Sequence, residues 1–258
     1  MNNIFSCEGI TKNYNDEAIV QEISLELSQG GFISLVGPSG VGKTTLFNVL
    51  AGVDSPDAGK VFLRGEDITG TSGKVSYMPQ KDLLLEYRTV IDNVILPLLI
   101  RGENKNTARE FAAEFFPMFG LEGYEKNYPH ELSGGMRQRA ALLRTCLTSC
   151  DTSSQASMPH NSVILLDEPF SALDAITRHK TRIWYAGIAE KMCISSFFIT
   201  HDVEEAIVLS DTVYIMNGKP GLITHKIDVQ PPRPRETDFS VSKEFVDQKR
   251  IVLDAIGV

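Results

Sequence analysis

The sequence of 258 residues is poor in cysteine and tryptophan, with four and one respectively, and it has no long apolar run. Four cysteines without the pattern of a disulfide framework indicate a reducing compartment. The N-terminus shows no basic region followed by an apolar stretch, so we expect no signal peptide. The longest apolar runs, such as residues 94–100, are far shorter than the roughly 18–20 residues that cross a bilayer. We therefore expect a soluble chain, which serves a membrane only through a partner that spans it.

Positive charge is also scarce: the chain has 25 lysines and arginines against 33 aspartates and glutamates, which gives a net charge of −8 at pH 7. A general nucleic-acid-binding protein normally presents a basic face, so we expect no nucleic-acid partner. The apolar share of 42% and the charged share of 22% are ordinary for a globular protein. The length suits one large domain or two small lobes.

Two of the cysteines, Cys146 and Cys150, are four residues apart on a predicted helix, which would place them on one face. A metal-binding pair is one interpretation, but no second Cys or His pair has the spacing of metal ligands. Small buried side chains are the better interpretation.

Strand-like and helix-like segments alternate along the chain. Short β-like runs fill residues 4–36, and the later predicted strands are 60–63, 74–78, 163–166, 194–200 and 212–216. One predicted helix follows Thr89 and breaks at Pro97, a second covers 106–119 with Gly120 as its stop signal, and a third follows Ser133. The remaining predicted helices are 175–191, 203–209 and about 241–256. This order predicts an α/β fold, a parallel sheet with helices on its faces, into which a helical block of about 83–147 is inserted.

Residues 37–44 read Gly-Pro-Ser-Gly-Val-Gly-Lys-Thr and fit the phosphate-binding pattern G-x-x-x-x-G-K-[ST] without a mismatch. An apolar run precedes them and a helix-compatible run follows, so free backbone N–H groups and a helix dipole would face an anion. Lys43 would add positive charge at the phosphates, and Thr44 would offer a hydroxyl to Mg²⁺. A chance glycine-rich turn is the alternative, which the flanking strand and helix disfavour. The candidate nucleotide-binding residues here are Gly37, Pro38, Ser39, Gly40, Val41, Gly42, Lys43, Thr44 and Thr45.

A pair of carboxylates, Asp167 and Glu168, directly follows the apolar strand 163–166. The carboxyl ends of strands are where α/β proteins bind ligands. Asp167 can hold Mg²⁺, and Glu168 can polarise the water that attacks the γ-phosphate, which are the two roles that a phosphate loop lacks. The alternative is an Asp-Glu pair that only caps the next helix.

A second candidate anion site lies at Ser133-Gly134-Gly135, where a serine N-cap and paired glycines expose backbone amides at a helix start. A plain serine-capped helix would be the simpler interpretation. Here the sequence resembles the ATP-binding subunits of ABC transporters, whose signature motif is LSGGQ. Met136 stands in place of the glutamine, outside the residues that face phosphate.

The resemblance covers nearly the whole chain and implies further roles. Gln80 resembles the Q-loop glutamine, which touches Mg²⁺ and relays to the transmembrane partner. Asp174, in Ser171-Ala172-Leu173-Asp174, resembles the D-loop that crosses the dimer. His201 resembles the switch histidine at the γ-phosphate, and Tyr14 resembles the aromatic side chain that stacks on adenine.

The same resemblance implies an architecture and a mechanism. It implies a P-loop NTPase core of residues 1–235 with an N-terminal antiparallel β subdomain and an inserted helical subdomain, followed by a C-terminal helical extension, 236–258. Two copies would form a head-to-tail homodimer with ATP and Mg²⁺ between the phosphate loop of one chain and the Ser133 turn of the other. The dimer would drive separate permease subunits from the cytoplasmic face of the cell membrane.

Several segments resemble importer subunits, and three resemble the nitrate, sulfonate and taurine class, which includes transporters of thiamine pyrimidine precursors: 134–136, 219–223 and 232–235. The last of these could instead be a proline-rich linker. Glu86-Tyr87 departs from the Pro-Trp common in that class, and the polar stretch 148–162 makes the chain about ten residues longer there than is usual, at little cost in stability. A solute-binding protein would act with the permease, and the solute itself is not encoded in this chain.

The sequence leaves three functions as rivals of an importer subunit. A soluble ABC ATPase of DNA repair or translation normally carries a coiled coil, zinc fingers or tandem nucleotide units, none of which appears in the sequence. An exporter subunit is the second rival. A regulatory subunit that binds ATP without turnover is disfavoured by Glu168 and His201.

Overall fold

A computed structural model describes residues 3–149, 162–233, 235 and 238–257 of the chain. Within these residues the strands are β1 Asn3–Tyr14, β2 Glu17–Ser28, β3 Phe32–Val36, β4 Ala58–Leu63, β5 Glu66–Asp67, β6 Ser76–Met78, β7 Val163–Asp167, β8 Ser195–Ile199, β9 Thr212–Asn217 and β10 Leu222–Asp228. The helices are α1 Lys43–Leu50, α2 Val90–Val94, α3 Leu96–Ile100, α4 Lys105–Ala113, α5 Gly134–Leu147, α6 Ala175–Lys191, α7 Val203–Leu209 and α8 Lys243–Ile256.

The central sheet has the strand order β10-β9-β3-β8-β7-β6. All of its strand pairs are parallel except that of β9 with β10, which is antiparallel. Every residue of β3, β7 and β8 is buried, as expected for parallel strands that helices cover on both faces. The α/β fold with a parallel core is therefore confirmed.

A second sheet of order β2-β1-β4-β5 is antiparallel throughout its pairings and holds the N-terminal part of the chain. The short runs predicted over residues 4–36 are in fact two strands of 12 residues each and the strand β3. Apolar side chains of both sheets form one cluster with α1, which carries the phosphate loop. This cluster fixes the loop between the two sheets.

The inserted helical block contains α2 to α5. Thr89 caps α2 by accepting from the backbone N–H of Asp92, and the helix breaks at Ile95, before Pro97 at the second position of α3. Both features were predicted. The predicted helix 106–119 was wrong at its end, because α4 stops at Ala113. Pro117 has no N–H, and in a continued helix its ring would clash with the carbonyl of residue 113, so turns replace the helix up to Gly120.

The strand β10 was not predicted, because its residues are mostly exposed and lack a simple alternation. The helix α8 was predicted, and it packs through Phe245 and Val252 into a cluster that includes Val213 and Ile215 of β9. The division into a core and a C-terminal extension stays a prediction. Most of the polar stretch 148–162, with Cys150, lies outside the described residues, whereas Cys146 is buried as predicted.

We expect Val252→Ala to lower the free energy of unfolding of the whole domain, because α8 shares its core. Val252 is fully buried, so the loss should be about 1–2 kcal/mol. Its neighbour Ile251 is 48% exposed, and Ile251→Ala should change stability by less than about 0.5 kcal/mol. Urea unfolding followed by circular dichroism measures both, and equal effects would contradict this packing.

Candidate functional site

The phosphate loop joins β3 to α1 and requires glycine at two positions for different reasons. A Cβ on Gly37 would lie 2.2 Å from the backbone oxygen of Met216. Gly42 has a φ of +106° in the left-handed region, and a Cβ there would lie 2.7 Å from Val20. The loop is therefore pressed between β9 and the start of β2.

The turn between β9 and β10 supports the loop from a third side. A Cβ on Gly221 would lie 2.2 Å from the backbone oxygen of Val41 and 2.4 Å from the Cε of Met216. The backbone of Gly221 also donates to the Ile19 oxygen and accepts from Gln21. The absence of a side chain at Gly221 thus lets β2, the β9–β10 turn and the phosphate loop meet.

Lys43 is 8% exposed, and its ammonium group donates to the carbonyl oxygens of Gly37 and Pro38, each at 2.8 Å. Burial lowers the pKa of Lys43, and the nearby charges of Glu168 and Asp167 oppose that shift. Two carbonyl groups of the loop thus bind the ammonium group of Lys43 and hold its positive charge within the loop.

Asp167 is the last residue of β7 and is 4% exposed. The hydroxyl of Thr44 donates to its Oδ2 at 3.0 Å. Burial raises the pKa of Asp167, and the hydrogen bond from Thr44 opposes the rise. A hydroxyl and a carboxylate at this spacing are hard oxygen donors that fit Mg²⁺, which usually takes only one or two carboxylates and completes its shell with water and phosphates. Within the described residues, no group of three or more His, Cys, Asp or Glu side chains could hold a metal ion alone.

The carboxylate of Glu168 accepts a hydrogen bond from Nε2 of Gln80 at 3.0 Å and lies 3.2 Å from Nδ1 of His201. These three residues follow β7, β6 and β8, three neighbouring parallel strands. The carboxyl ends of such strands meet at one edge of the sheet. The structure therefore brings the three predicted catalytic residues to one point.

The backbone of Glu168 has a φ of +46°, which is unusual for a residue with a Cβ. Its N–H donates to the Ile199 oxygen at 2.9 Å, and its own carbonyl accepts from the backbone and hydroxyl of Ser171. These bonds on both sides hold a conformation that costs about 1–3 kcal/mol. Glu168 is thus held at the end of a core strand, where its carboxylate meets Gln80 and His201.

A cavity of about 530 Å³ joins the phosphate loop to these carboxylates. Its lining residues are Ile19, Ser39, Gly40, Gly42, Lys43, Thr44, Thr45, Gln80, Asp167, Glu168, Ile199 and His201. The volume is within the range of small-ligand sites. Ile19 was not predicted, because an apolar residue in a strand gives no signal of its own.

The Ser133 turn lies elsewhere in the same chain. Ser133 caps α5 by accepting from the N–H of Met136, and Gly134 and Gly135 open the helix. Asp174 caps α6 in the same way, and a Cβ on Gly135 would lie 3.0 Å from Thr177 of that helix. None of these residues lines the cavity of about 530 Å³, so one chain alone does not bring them to its phosphate loop.

Tyr14 is the last residue of β1 and is 43% exposed. It does not line the cavity of about 530 Å³. Its hydroxyl donates to Oδ2 of Asp54 at 2.6 Å. Asp54 was not predicted, because its contact with Tyr14 joins residues 40 positions apart.

Residues 82–86, which follow Gln80, are held to α5 by hydrogen bonds and an ion pair. The guanidinium of Arg137 donates to Asp82 and pairs with Glu86, and Arg144 donates to the carbonyls of Asp82 and Leu83. Burial acts to raise the pKa of Asp82, but the hydrogen bonds that its carboxylate accepts and the nearby arginine charges hold that pKa below its ordinary value. Leu83 is 57% exposed, and Tyr87, four residues later, is 76% exposed.

We expect Gly221→Ala to displace the phosphate loop and to lower the free energy of unfolding by about 1–3 kcal/mol, as overpacking does. Gly187 is the matched control, because it lies inside α6 and a Cβ added there would meet no atom within 4 Å. Gly187→Ala should raise stability by about 0.5–1 kcal/mol. Urea unfolding measures both, and a neutral Gly221→Ala would contradict the close approach.

Comparison with known proteins identifies the family of the chain. A family model described as ABC transporter matches residues 20–171. An ABC transporter ATP-binding protein of Methanocaldococcus jannaschii is 39% identical over 96% of this chain and 90% of its own. The formylaminopyrimidine import ATP-binding protein ThiZ of Halalkalibacterium halodurans is 38% identical over 90% and 85%, and the aliphatic sulfonates import ATP-binding protein SsuB of Bacillus cereus is 34% identical over 96% and 94%.

Solved structures give the same result. A dimeric post-hydrolysis structure of the ATP-binding cassette MJ0796 with ADP and phosphate aligns with a TM-score of 0.70 at 25% identity, over 88% of this chain and 99% of that one. The ADP-bound cassette MJ1267 aligns with a TM-score of 0.75 over 96% and 98%, at 20% identity, which supports the fold. With the family model and the relatives, these alignments establish that the chain belongs to the ABC transporter family, as one of its ATP-binding proteins.

Proposed function

We propose that this chain is the ATP-hydrolysing subunit of an ABC importer and works as a homodimer on separate permease subunits. The observation that carries the proposal is the meeting of Gln80, Glu168 and His201 beside the phosphate loop. A nucleotide-binding protein needs the loop alone, whereas hydrolysis also needs a positioned carboxylate.

The phosphate loop would bind the triphosphate. The N–H groups of residues 39–42 belong to the loop, and those of residues 43–45 to the first turn of α1, where the amides have no partner within the helix. Lys43 would exchange its bonds with the Gly37 and Pro38 carbonyls for bonds with phosphate oxygens, as a charge that is already partly desolvated. The ring of Tyr14 would stack on the adenine.

The three clustered residues would divide the work of hydrolysis. Glu168 would orient and polarise the attacking water, and His201 would hold Glu168 and contact the γ-phosphate. Thr44, Asp167 and Gln80 would hold Mg²⁺, which neutralises phosphate charge when bound. The strained backbone of Glu168 supports this assignment, because strain concentrates where a side chain must be aimed.

Two copies would complete each site. Ser133, Gly134 and Gly135 of a second copy would face the phosphates across a two-fold axis, with Asp174 nearby. The exposure of the Ser133 turn away from its own phosphate loop supports this arrangement. The cassette MJ0796 is dimeric in its solved structure.

Import is the transport direction that the relatives favour. ThiZ and SsuB carry formylaminopyrimidine import and aliphatic sulfonates import in their names, and a 36% identical relative of Gloeobacter violaceus is named for sulfate and thiosulfate import. We propose a small solute of the nitrate, sulfonate and taurine kind or a thiamine pyrimidine precursor, delivered by a solute-binding protein. In the part of the chain that the structure describes, no helix has both the length and the apolar content to cross a membrane. We place the subunit on the cytoplasmic face of the membrane, held there by its permease.

We expect Glu168→Gln to lose ATP hydrolysis by at least about 100-fold while MgATP binding is retained, because the amide cannot polarise water. The trapped protein should elute as a dimer with MgATP and as a monomer without it. Malachite-green assays and size-exclusion chromatography with light scattering measure the two effects.

The double variant Glu168→Gln with Ser133→Arg is the control for the dimer. The arginine would occupy the space of the phosphates at the Ser133 turn, while the phosphate loop of each chain stays intact. This variant should bind MgATP and remain a monomer. Turnover that persists in Glu168→Gln would show that Glu168 is not the base.

The transport assignment is tested by purifying the tagged chain from detergent-solubilised membranes of its own organism. Mass spectrometry of the co-purified proteins should reveal a permease with several membrane spans, and a solute-binding protein would fix the direction as import. Recovery of only ribosomal or nucleic-acid partners would favour a soluble ABC ATPase, and a permease without any binding protein would favour an exporter.

A further inference from the structure

The proposed adenine platform, Tyr14, is held by two polar side chains that no motif contains. The hydroxyl of Tyr14 donates to Oδ2 of Asp54 at 2.6 Å, and the ammonium group of Lys12 donates to Oδ1 of the same carboxylate at 2.9 Å. Lys12 also donates to the backbone oxygen of Ser55 at 2.8 Å. One carboxylate therefore bridges two residues of β1.

Lys12 also covers one face of the aromatic ring. Its Nζ lies 5.2 Å from the centroid of the Tyr14 ring, within the range of a cation–π contact. Lys12 is only 9% exposed, so its position is set by packing as well as by charge. A base can then stack only on the opposite face of the ring.

Asp54 is in turn fixed to the helix of the phosphate loop. The backbone N–H groups of Val53 and Asp54 both donate to the carbonyl of Asn48 in α1, at 2.9 and 3.1 Å. The same helix begins with Lys43 and Thr44. The contacts therefore run without interruption from the ring of Tyr14 to the residues proposed for the phosphates and Mg²⁺.

The charge state of the site is consistent with this geometry. Hydrogen bonds from Tyr14 and Lys12 hold the pKa of the Asp54 carboxyl below its ordinary value, so it is ionised at neutral pH. The same bond to Asp54 raises the pKa of Tyr14, so the phenol keeps its proton as a donor. Hydrogen bonds that involve a charged group are the stronger ones in proteins.

We propose that Lys12 and Asp54 form a clamp that sets the position of the Tyr14 ring, and that both are positioning residues for recognition of the nucleotide base. The inference rests on the proposed function. An exposed aromatic ring without such a clamp would lose rotamer freedom on binding, which costs affinity. The clamp removes that cost in advance and keeps the ring at a fixed distance from α1.

The test compares two ligands that differ in the base. In the full chain carrying Glu168→Gln with Ser133→Arg, which binds ligand without dimerising, isothermal titration calorimetry gives Kd for MgATP and for magnesium tripolyphosphate, which has no base or ribose. Tyr14→Phe keeps the ring and removes only the bond to Asp54, and Asp54→Ala removes the acceptor. Each should weaken MgATP binding by about 5-fold to 10-fold, and neither should change tripolyphosphate binding by more than about two-fold.

A double-mutant cycle separates positioning from a general structural effect. Tyr14→Phe together with Asp54→Ala should weaken MgATP binding no more than the worse single variant, because Asp54→Ala already removes the bond that Tyr14→Phe removes. Glu17→Ala is the matched control, since Glu17 is exposed and lies opposite Tyr14 in the β1–β2 pairing. It should leave both Kd values unchanged. If Asp54→Ala fails to fold, Tyr14→Phe alone decides, because it removes one oxygen from an exposed ring.

The outcomes also separate the clamp from the function on which it rests. Normal MgATP binding by Tyr14→Phe, or losses that multiply in the double variant, would overturn the clamp. Equal weakening of tripolyphosphate would overturn it too, because the effect would then lie in the phosphate loop. If Tyr14→Ala binds MgATP normally, the proposal that Tyr14 stacks on the adenine is wrong. If Tyr14→Ala weakens MgATP binding but Tyr14→Phe and Asp54→Ala do not, Tyr14 is still the adenine platform and only the clamp is wrong.

Discussion

A buried ammonium group organises this molecule. Lys43 is enclosed by its own loop, and a charge removed from water must be hydrogen-bonded, which the carbonyls of Gly37 and Pro38 provide. Because those carbonyls turn inward, the loop is tight and its outer surface lies against β2, β9 and the turn at Gly221. The two sheets and the β9–β10 turn therefore meet where the loop needs support on every side.

Local sequence patterns predicted many of the helices and strands. Two features were not predicted, the end of α4 and the strand β10. The helices α6 and α7 were predicted to the residue, and in the structure N-caps at Asp174 and Asp202 define their starts. The end of α4 was missed, although Pro117 is a local signal that a regular helix does not run on to Gly120. The exposed edge strand β10 gave no apolar pattern, so only its pairing with β9 defines it.

The site divides in the same way. The phosphate loop, Asp167 and the Ser133 turn are short local motifs, so the sequence alone identifies them as candidates. The contact of Gln80 with Glu168 joins residues 88 positions apart and depends on the strand order β8-β7-β6. The supporting residues, Ile19 and Gly221 among them, could not be predicted, because they touch the loop only after both sheets have formed.

The pairing of α5 with the segment after Gln80 has a mechanical consequence. The helix has 14 residues and is therefore about 20 Å long, with the Ser133 turn at one end and Arg144 one turn from the other. Arg137 and Arg144 tie it to Asp82, Leu83 and Glu86 at two separate heights. A rod fixed at two points cannot rotate against what it is fixed to. The Ser133 turn and the exposed surface at Leu83 and Tyr87 are thus joined through one helix, so a displacement of either must move the other.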